Sequence, residues 1–354
     1  MINSNYTIVP QMFTEHLYKI SRSEDLTRDE AEDAMQNILD GNVSAEEISA
    51  FLMGMRMKGE SIDELTSFVK VMRSASVTVD VDTENAVDLC GTGGDRSGTF
   101  NISTAAMFVV AGAGVPVLKH GNRSVSSKSG SFDVLELLGA VPNLDKKQVE
   151  SLYNETGMAF MFAPNFHPAL KYVMPARRAL KIRTFFNMLG PLLNPANVKY
   201  QVVGAYSKEA AGNMIQILSN LDTENAYTVH AHDGLDEITT TSHSEIFELK
   251  SGLSGTSVTF DPRSLDYEWA EPDSILGGDA KMNAGILRNI VSNQSTQEQR
   301  NIVELNAAFA IHAAKGADTL EEAKNMAAGS IDSGEAEKKL NLFVSESKKV
   351  AEAV

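Results

Sequence analysis

Val115-Pro116-Val117-Leu118, then Lys119-His120-Gly121-Asn122-Arg123-Ser124-Val125-Ser126-Ser127-Lys128-Ser129-Gly130, then Ser131 to Leu138, is the stretch that decides the reading of the fold. A short apolar run, a polar loop punctuated by glycine and a helical pattern, in that order, describe a buried strand feeding a helix. The loop itself is a poor recipe for a core. It holds three cations, a histidine, an asparagine, two glycines and several serines. Cations and hydroxyls in that density suit a segment that wraps polyanionic oxygens. In an open α/β sheet, loops leaving the carboxyl ends of strands are where ligands bind.

The same texture extends in both directions. Ala86-Val87-Asp88-Leu89, Met158-Ala159-Phe160-Met161-Phe162, Gln201-Val202-Val203-Gly204 and Tyr227-Thr228-Val229-His230 are further apolar runs, with helical stretches such as 208–218 between them. Alternation of this kind predicts an α/β domain over residues 81–354, with a central mostly parallel sheet flanked by helices. From Ser295 the tail is rich in Ala and Glu and reads as helices that close the domain.

Upstream the pattern changes to helices alone. Thr27 with Glu30, Ser44 with Glu47 and Ser61 with Glu64 have capping-box spacing, in which side chains satisfy the free amides of a first helical turn. Behind these boxes lie apolar stripes: Ala31, Met35, Ile38 and Leu39; Ile48, Phe51, Leu52 and Met55; Leu65, Phe68, Val69 and Met72. Their spacing is helical, and such faces become core rather than ligand boxes. Gly41 and Gly59 sit where helices stop. A small helical domain over residues 1–80 is predicted, with part of 165–190 packing on it.

Composition narrows the function. A chain of 354 residues with 43% hydrophobic and 22% charged residues has material for two packed domains. The net charge of −16 opposes general nucleic-acid binding, since it repels a phosphate backbone at long range. A local cluster of cations still admits a small phosphorylated substrate. Cys90 is the one cysteine, so no intramolecular disulfide forms and a reducing compartment fits. The start of the chain lacks a signal-peptide layout, and no apolar run reaches the roughly 18 residues of a membrane span. The expected setting is the cytoplasm, with no membrane partner.

Three further segments carry chemistry. Gly91-Thr92-Gly93-Gly94-Asp95 leaves a predicted strand, and Thr99-Phe100-Asn101-Ile102-Ser103-Thr104 opens a helix. Glycines let the backbone approach a phosphate, and a helix start offers free N–H groups to an anion. Ser103 and Thr104 are candidates to cap that helix or to give a hydroxyl to a phosphate or metal. Neither the Walker nor the dinucleotide pattern is present. Asp233-Gly234-Leu235-Asp236-Glu237 follows another strand, and paired carboxylates there suit Mg²⁺ held through oxygen. Between Phe162 and Pro195, Phe166-His167-Pro168-Ala169, Arg177-Arg178 and Arg183-Thr184-Phe185-Phe186-Asn187 set aromatic and apolar residues beside arginines. That mixture suits a pocket for an aromatic carboxylate, the arginine pairing its charge.

Taken together, the helical N-terminal region, GTGGD…TFNIST, KHGNRSVSSKSGSFDVLELLG, FAPNFHPALK…RR…IRTFFNMLGPLLNP and DGLDE closely resemble the anthranilate phosphoribosyltransferases, over nearly the whole chain. The resemblance implies a small helical domain joined to a larger α/β domain, a site in the cleft between them, and a homodimer formed through the helical part. It implies transfer of the phosphoribosyl group of phosphoribosyl pyrophosphate (PRPP) to the amine of anthranilate, with Mg²⁺ at two sites. By position, PRPP would meet Gly91, Gly94, Asp95, Thr99, Asn101, Ile102, Ser103, Thr104 and Ser131. It would also meet Lys119, His120, Gly121, Asn122, Arg123, Ser124, Val125, Ser126 and Ser127. Mg²⁺ would be held by Ser103 in one site and by Asp236 and Glu237 in the other. Anthranilate would meet Gly91, Asn122 and Arg177, with His120 and His167 lining its route; Lys119, Asn122 and Arg177 carry the catalytic expectation.

Two positions depart from the family pattern: Arg96 after GTGGD, where a small residue is usual, and Phe132, where Ala is usual. Among enzymes, the nearest alternative is a pyrimidine-nucleoside phosphorylase of the same architecture. From another class come relatives of the fold that have lost activity and bind nucleic acid. The paired-arginine segment opposes the first, and the acidic charge opposes the second.

Overall fold

The computed structural model describes residues 11–95, 97–123 and 129–353. Arg96 and four expected phosphate contacts, Ser124, Val125, Ser126 and Ser127, lie outside the described residues. Two compact units emerge: Met1–Ser76 with His167–Leu193, and Val77–Phe166 with Asn194–Val354.

The first unit begins with helices α1 (Gln11–Ser21), α2 (Arg28–Leu39), α3 (Ala45–Lys58) and α4 (Ile62–Ser74). Thr27, Ser44 and Ser61 cap α2, α3 and α4, each in a complete box with Glu30, Glu47 and Glu64. Glu64 is fully buried and accepts from the amides of Leu26 and Ser61, both at 2.8 Å. Lys58 pairs with it at 2.8 Å, so the buried charge is matched. The predicted stripes form the core, where Phe13, Phe51, Phe68 and Phe185 meet ring to ring.

The second unit is wound around a sheet whose strands alternate with helices along the chain. Its first half runs β1 (Val87–Gly91), α5 (Ile102–Gly112), β2 (Val117–Gly121), α6 (Ser131–Leu137), α7 (Lys146–Thr156), β3 (Met158–Phe162) and α8 (Ala163–Phe166). The excursion into the helical unit contributes α9 (Met174–Leu180) and α10 (Phe186–Leu189). The chain returns as β4 (Tyr200–Gly204), α11 (Lys208–Ser219), β5 (Asn225–Ala231), β6 (Ser244–Lys250), β7 (Leu253–Ser254) and β8 (Val258–Phe260). Helices α12 (Ala280–Val291), α13 (Gln297–Ala313), α14 (Leu320–Asp332) and α15 (Glu335–Glu352) complete it.

Strand order is β3-β2-β1-β4-β5-β6-β7, with β8 also on β6; β1 to β5 are parallel, and β6 turns antiparallel. Helix α5 is apolar on nearly every side and is correspondingly buried, packing on β1, α13 and α15. From β1 the chain first builds outward through β2 and β3, then returns to the other side of β1 with β4 and β5. The carboxyl ends of β1 and β4 therefore flank a topological switch point, the place where such sheets bind ligands. The antiparallel edge is not announced in the sequence, because β6 carries Glu245, Glu248 and Lys250 among its apolar residues.

Candidate active site

Strands β1 and β2 pair at Val87 and Val117 alone among the described residues, whereas β2 and β3 pair along their full length. Side chains occupy the opening this leaves. The Asp88 carboxylate accepts from the His120 backbone N–H at 3.3 Å, and the Lys119 ammonium donates to the Leu89 carbonyl. Lys119 is buried and also donates to the Ser103 hydroxyl at 3.1 Å. The Ser103 backbone N–H, in the first turn of α5, donates in turn to Glu237 at 3.2 Å. Lysine, hydroxyl and carboxylate thus line up at the carboxyl ends of β1 and β2.

Asp236 closes the same site from the loop after β5. Its carboxylate accepts from the Gly93 N–H at 2.6 Å and the Thr92 hydroxyl at 3.4 Å. The 236 backbone lies so close to β4 that a methyl group on Gly204 would sit 1.5 Å from the Asp236 carbonyl oxygen. Gly93 and Gly94 turn the loop with φ of 64° and 74°, which a glycine adopts without the strain a side chain brings. Asp95 accepts from Ser97 at 2.5 Å.

Acidic charge is under-compensated here. Burial, then the nearby Asp95, pushes the Asp236 carboxyl up to about 6; burial, then Asp236, pushes Glu237 up to about 8. Buried neighbouring carboxylates resist losing both protons unless a cation joins them. The available donors are two carboxylates and a serine hydroxyl, all oxygen, which is the ligand set of a hard ion such as Mg²⁺.

The predicted anion loop is only partly in place among the described residues. Asn122 is exposed, its side-chain oxygen accepting from the Arg123 N–H at 2.8 Å. Arg123 pairs with Asp133 at 2.9 Å and stacks on the Phe132 ring at 3.8 Å. Phe132 is buried against Phe162 and serves as the platform for that guanidinium. Thr104 and Ser131 join through their hydroxyls at 3.0 Å.

Other residues of these segments have places that the sequence does not announce. Helix α5 starts after Asn101 with no side-chain cap, so Ser103 and Thr104 lie within its first turn instead of capping it. Ile102 places its side chain in the core and its N–H on the Phe100 carbonyl. Phe166, Phe185 and Phe186 are buried, and Phe185 and Phe186 stack at 4.6 Å within the helical unit rather than standing open as a pocket wall. Asp233 accepts from the Thr239 and Thr241 hydroxyls and shapes its own turn.

In the helical unit His167 is buried, its Nε2 donating to the Leu193 carbonyl at 2.9 Å. Arg177 is half-buried over the Phe186 ring, and its guanidinium has no carboxylate partner among the described residues. Burial alone draws its pKa down. A half-buried guanidinium without a counter-ion is a ready receptor for an anion.

Sequence reasoning missed three contributors. Asp88 is fully buried in β1 and holds His120 through Nδ1 at 2.5 Å. Asn194 donates to Asp88 and to the Leu118 carbonyl, each at 2.8 Å. Asn283, from α12, donates to Asn101 at 3.0 Å, while Asn101 donates to the Ser129 carbonyl at 3.2 Å. A polar residue inside an apolar strand is the signal that marks Asp88; Asn283 lies 182 positions from its partner, and no local pattern reveals it.

Comparison with known proteins gives a consistent result. The a/b domain of the glycosyl transferase family matches residues 83–337, and that family's helical bundle domain matches residues 14–76. The anthranilate phosphoribosyltransferase of Salinibacter ruber is 47% identical over 335 residues, spanning 94% of this chain and 97% of the relative. The crystal structure of anthranilate phosphoribosyltransferase from Thermus thermophilus superimposes with a TM-score of 0.88 at 32% identity, covering 94% of this chain and 99% of that one. The Saccharomyces cerevisiae enzyme, solved in complex with PRPP and Mg, gives a TM-score of 0.86 at 26% identity, with 95% and 98% covered.

Proposed function

The chain belongs to the anthranilate phosphoribosyltransferase family, and from that premise we propose how its residues divide the work. The protein is a transferase that moves the phosphoribosyl group of PRPP to the amine of anthranilate, a step of tryptophan biosynthesis. The observation that carries the residue assignments is the run of Lys119, Ser103, Glu237 and Asp236 at the carboxyl ends of the sheet.

In the reaction the amine nitrogen bonds to ribose C1 as the bond from C1 to the pyrophosphate oxygen breaks, and the nitrogen then releases one of its two protons to water. Charge then grows on the leaving oxygens, and stabilising it is the main electrostatic task. Lys119 is assigned to that charge, while Gly91, Gly94, Asp95, Thr99, Asn101 and Thr104 shape the PRPP bed. Lys119 to Asn122, Arg123 and Ser131 complete the bed, with Ser124, Val125, Ser126 and Ser127 assigned to it by family position. Ser103 would hold one Mg²⁺, and Asp236 with Glu237 would hold a second. When bound, Mg²⁺ neutralises pyrophosphate charge. Arg177 takes the anthranilate carboxylate, and Gly91 and Asn122 bound the ring. His167, committed to the Leu193 carbonyl, shapes the anthranilate route without reacting. An aryl amine is neutral near pH 7, so alignment matters more than a strong base.

The family reading also calls for a homodimer. Met53 and Met57, one turn apart on α3, are exposed by 43% and 78%, apolar side chains of the kind an oligomer covers. Sedimentation of wild type and Met57→Lys tests it: a dimer that the lysine dissociates supports the helical interface. No helix among the described residues is long and apolar enough to cross a membrane, and a cytoplasmic setting follows from the substrates.

The test of the function is the loss of anthranilate fluorescence on mixing protein with PRPP and Mg²⁺, against a PRPP-free control. Mg²⁺-dependent loss is the expected result. A folded protein that leaves anthranilate untouched but phosphorolyses thymidine or uridine would overturn the reading.

A further inference from the structure

The loops that follow β1 and β2 are joined by a segment far along the chain. Residues 276–283, which lead into α12, lie against the loop after β1. Leu276 bridges Thr99 in antiparallel fashion, and the Gly277 N–H donates to the Gly98 carbonyl at 2.8 Å. The approach is too close for a side chain: a methyl group on Gly277 would stand 2.6 Å from the Phe100 backbone and 2.5 Å from the Asn283 side-chain oxygen. Asn283 itself is buried near the start of α12.

From there three hydrogen bonds run in line. The Gly278 N–H donates to Asn283 Oδ1 at 2.7 Å, Asn283 Nδ2 to Asn101 Oδ1 at 3.0 Å, and Asn101 Nδ2 to the Ser129 carbonyl at 3.2 Å. A side-chain amide can face either way, but the two ends of this line are backbone groups with no such choice. The N–H of Gly278 can only donate, so Asn283 turns its oxygen there and its nitrogen to Asn101. The carbonyl of Ser129 can only accept, so Asn101 turns its nitrogen there and its oxygen to Asn283. Each end dictates the same polarity. Both ends of the Asn101 amide are thereby engaged by the protein, and its side chain serves the loops.

We propose that Asn283 is a positioning residue for PRPP: through Asn101 it ties the end of the loop after β2, at Ser129, to the start of α5, and so sets the spacing of the two segments that receive the substrate's phosphates. This rests on the phosphoribosyl-transfer reading. Thr104 and Ser131 join the same two segments a few residues on, hydroxyl to hydroxyl at 3.0 Å. Cutting the amide relay therefore loosens the junction without severing it.

Asn283→Asp isolates the last bond of the line. Its carboxylate, near the N-terminal end of α12, stays ionised at neutral pH and still accepts from Gly278, but it has no hydrogen for Asn101. Asn101 must then turn its nitrogen to the new carboxylate and set its oxygen against the Ser129 carbonyl. KM for PRPP should rise about 3- to 10-fold, the scale of one hydrogen bond. The kcat and the KM for anthranilate should stay within about twofold. Asn101→Asp loses the same bond from the other side, and it stands in if the first variant does not fold. Adding Asn283→Asp to Asn101→Ala should raise KM for PRPP no further, since the first acts through the second. Hydrogen exchange of the full-length protein, read by mass spectrometry without substrate, should quicken over residues 129–134 in both Asp variants and stay unchanged in α7. An unchanged KM for PRPP, unchanged exchange over 129–134, or equal rises in both KM values overturns the proposal. If wild type fails to consume anthranilate at all, the functional reading falls, and the exchange comparison still decides whether the relay holds the loop.

Discussion

Glu64 and Glu237 are both buried or half-buried glutamates that accept a backbone N–H, and the difference between them separates the two units. Glu64 in the helical unit accepts from Leu26 and Ser61 and is matched by Lys58, itself buried. Glu237 in the α/β unit accepts from Ser103 but has Asp236 beside it and Asp95 near, and its proton is held to about pH 8. The first arrangement completes its charge within the chain. The second leaves charge for something else to complete. Proteins concede stability at functional sites in this way, and the mismatch itself marks the site.

Changes at the two glutamates must therefore fail differently. Replacing Asp236 and Glu237 together by Asn and Gln should cut kcat/KM at least about a hundredfold, the scale of lost metal organisation. It should also displace the Mg²⁺ titration while leaving the fold intact. An unchanged metal titration would remove both residues as ligands. Glu64→Ala should do the reverse: it frees the Leu26 and Ser61 amides and leaves Lys58 with the exposed Asp25 alone, costing up to roughly 3 kcal/mol of stability. The rate per folded molecule should hold, as chemical denaturation alongside single-point assays would show.

Arg177 tests whether the contrast follows units or sites. It lies on α9 in the helical unit, but it lacks a carboxylate partner among the described residues, as a site residue should. Arg177→Ala should raise KM for anthranilate roughly 10- to 100-fold, on the scale of a removed charge-assisted pair, with KM for PRPP little changed. Both constants at wild-type values would end the assignment.

The pH dependence is subtler. Folded, Glu237 keeps its proton to about pH 8; its ordinary value is 4.5. The folded state therefore binds the extra proton between those values, and stability contributed by this group falls as pH rises through the window. In chelator, the Tm of wild type should decline from pH 5 to 8 more steeply than that of Glu237→Gln. Parallel curves would show that the carboxyl is not held protonated.

Much of this contrast is legible in the sequence itself. Capping boxes are local in sequence, so Thr27, Ser44 and Ser61 can be read with their partners, and so can the apolar stripes behind them. Glycine-rich turns after apolar runs likewise mark Gly91–Asp95 and the loop after Val117. What stays hidden depends on contacts across the fold. The β1–β2 splay, the Asp88 clamp on His120 and the Asn283–Asn101 bond join positions 30 or more residues apart. Phe185 and Phe186 mislead for a related reason. Aromatic content says that a segment buries area, but not whether it buries it against a ligand or against Phe51 and Phe68.

Phe132 offers the smallest effect and the finest test. The ring lies buried against Phe162 and supports the Arg123 guanidinium at 3.8 Å. A cation over an aromatic face at a partly exposed site contributes about 0.5–1 kcal/mol. Phe132→Leu keeps most of the volume while removing the aromatic face, so the fold should survive. If Arg123 reaches PRPP from that platform, KM for PRPP should rise about two- to fivefold, and KM for anthranilate should not move. If neither constant moves while stability drops, Phe132 belongs with Glu64 as a residue that completes the interior, and the Arg123 stack has no part in binding.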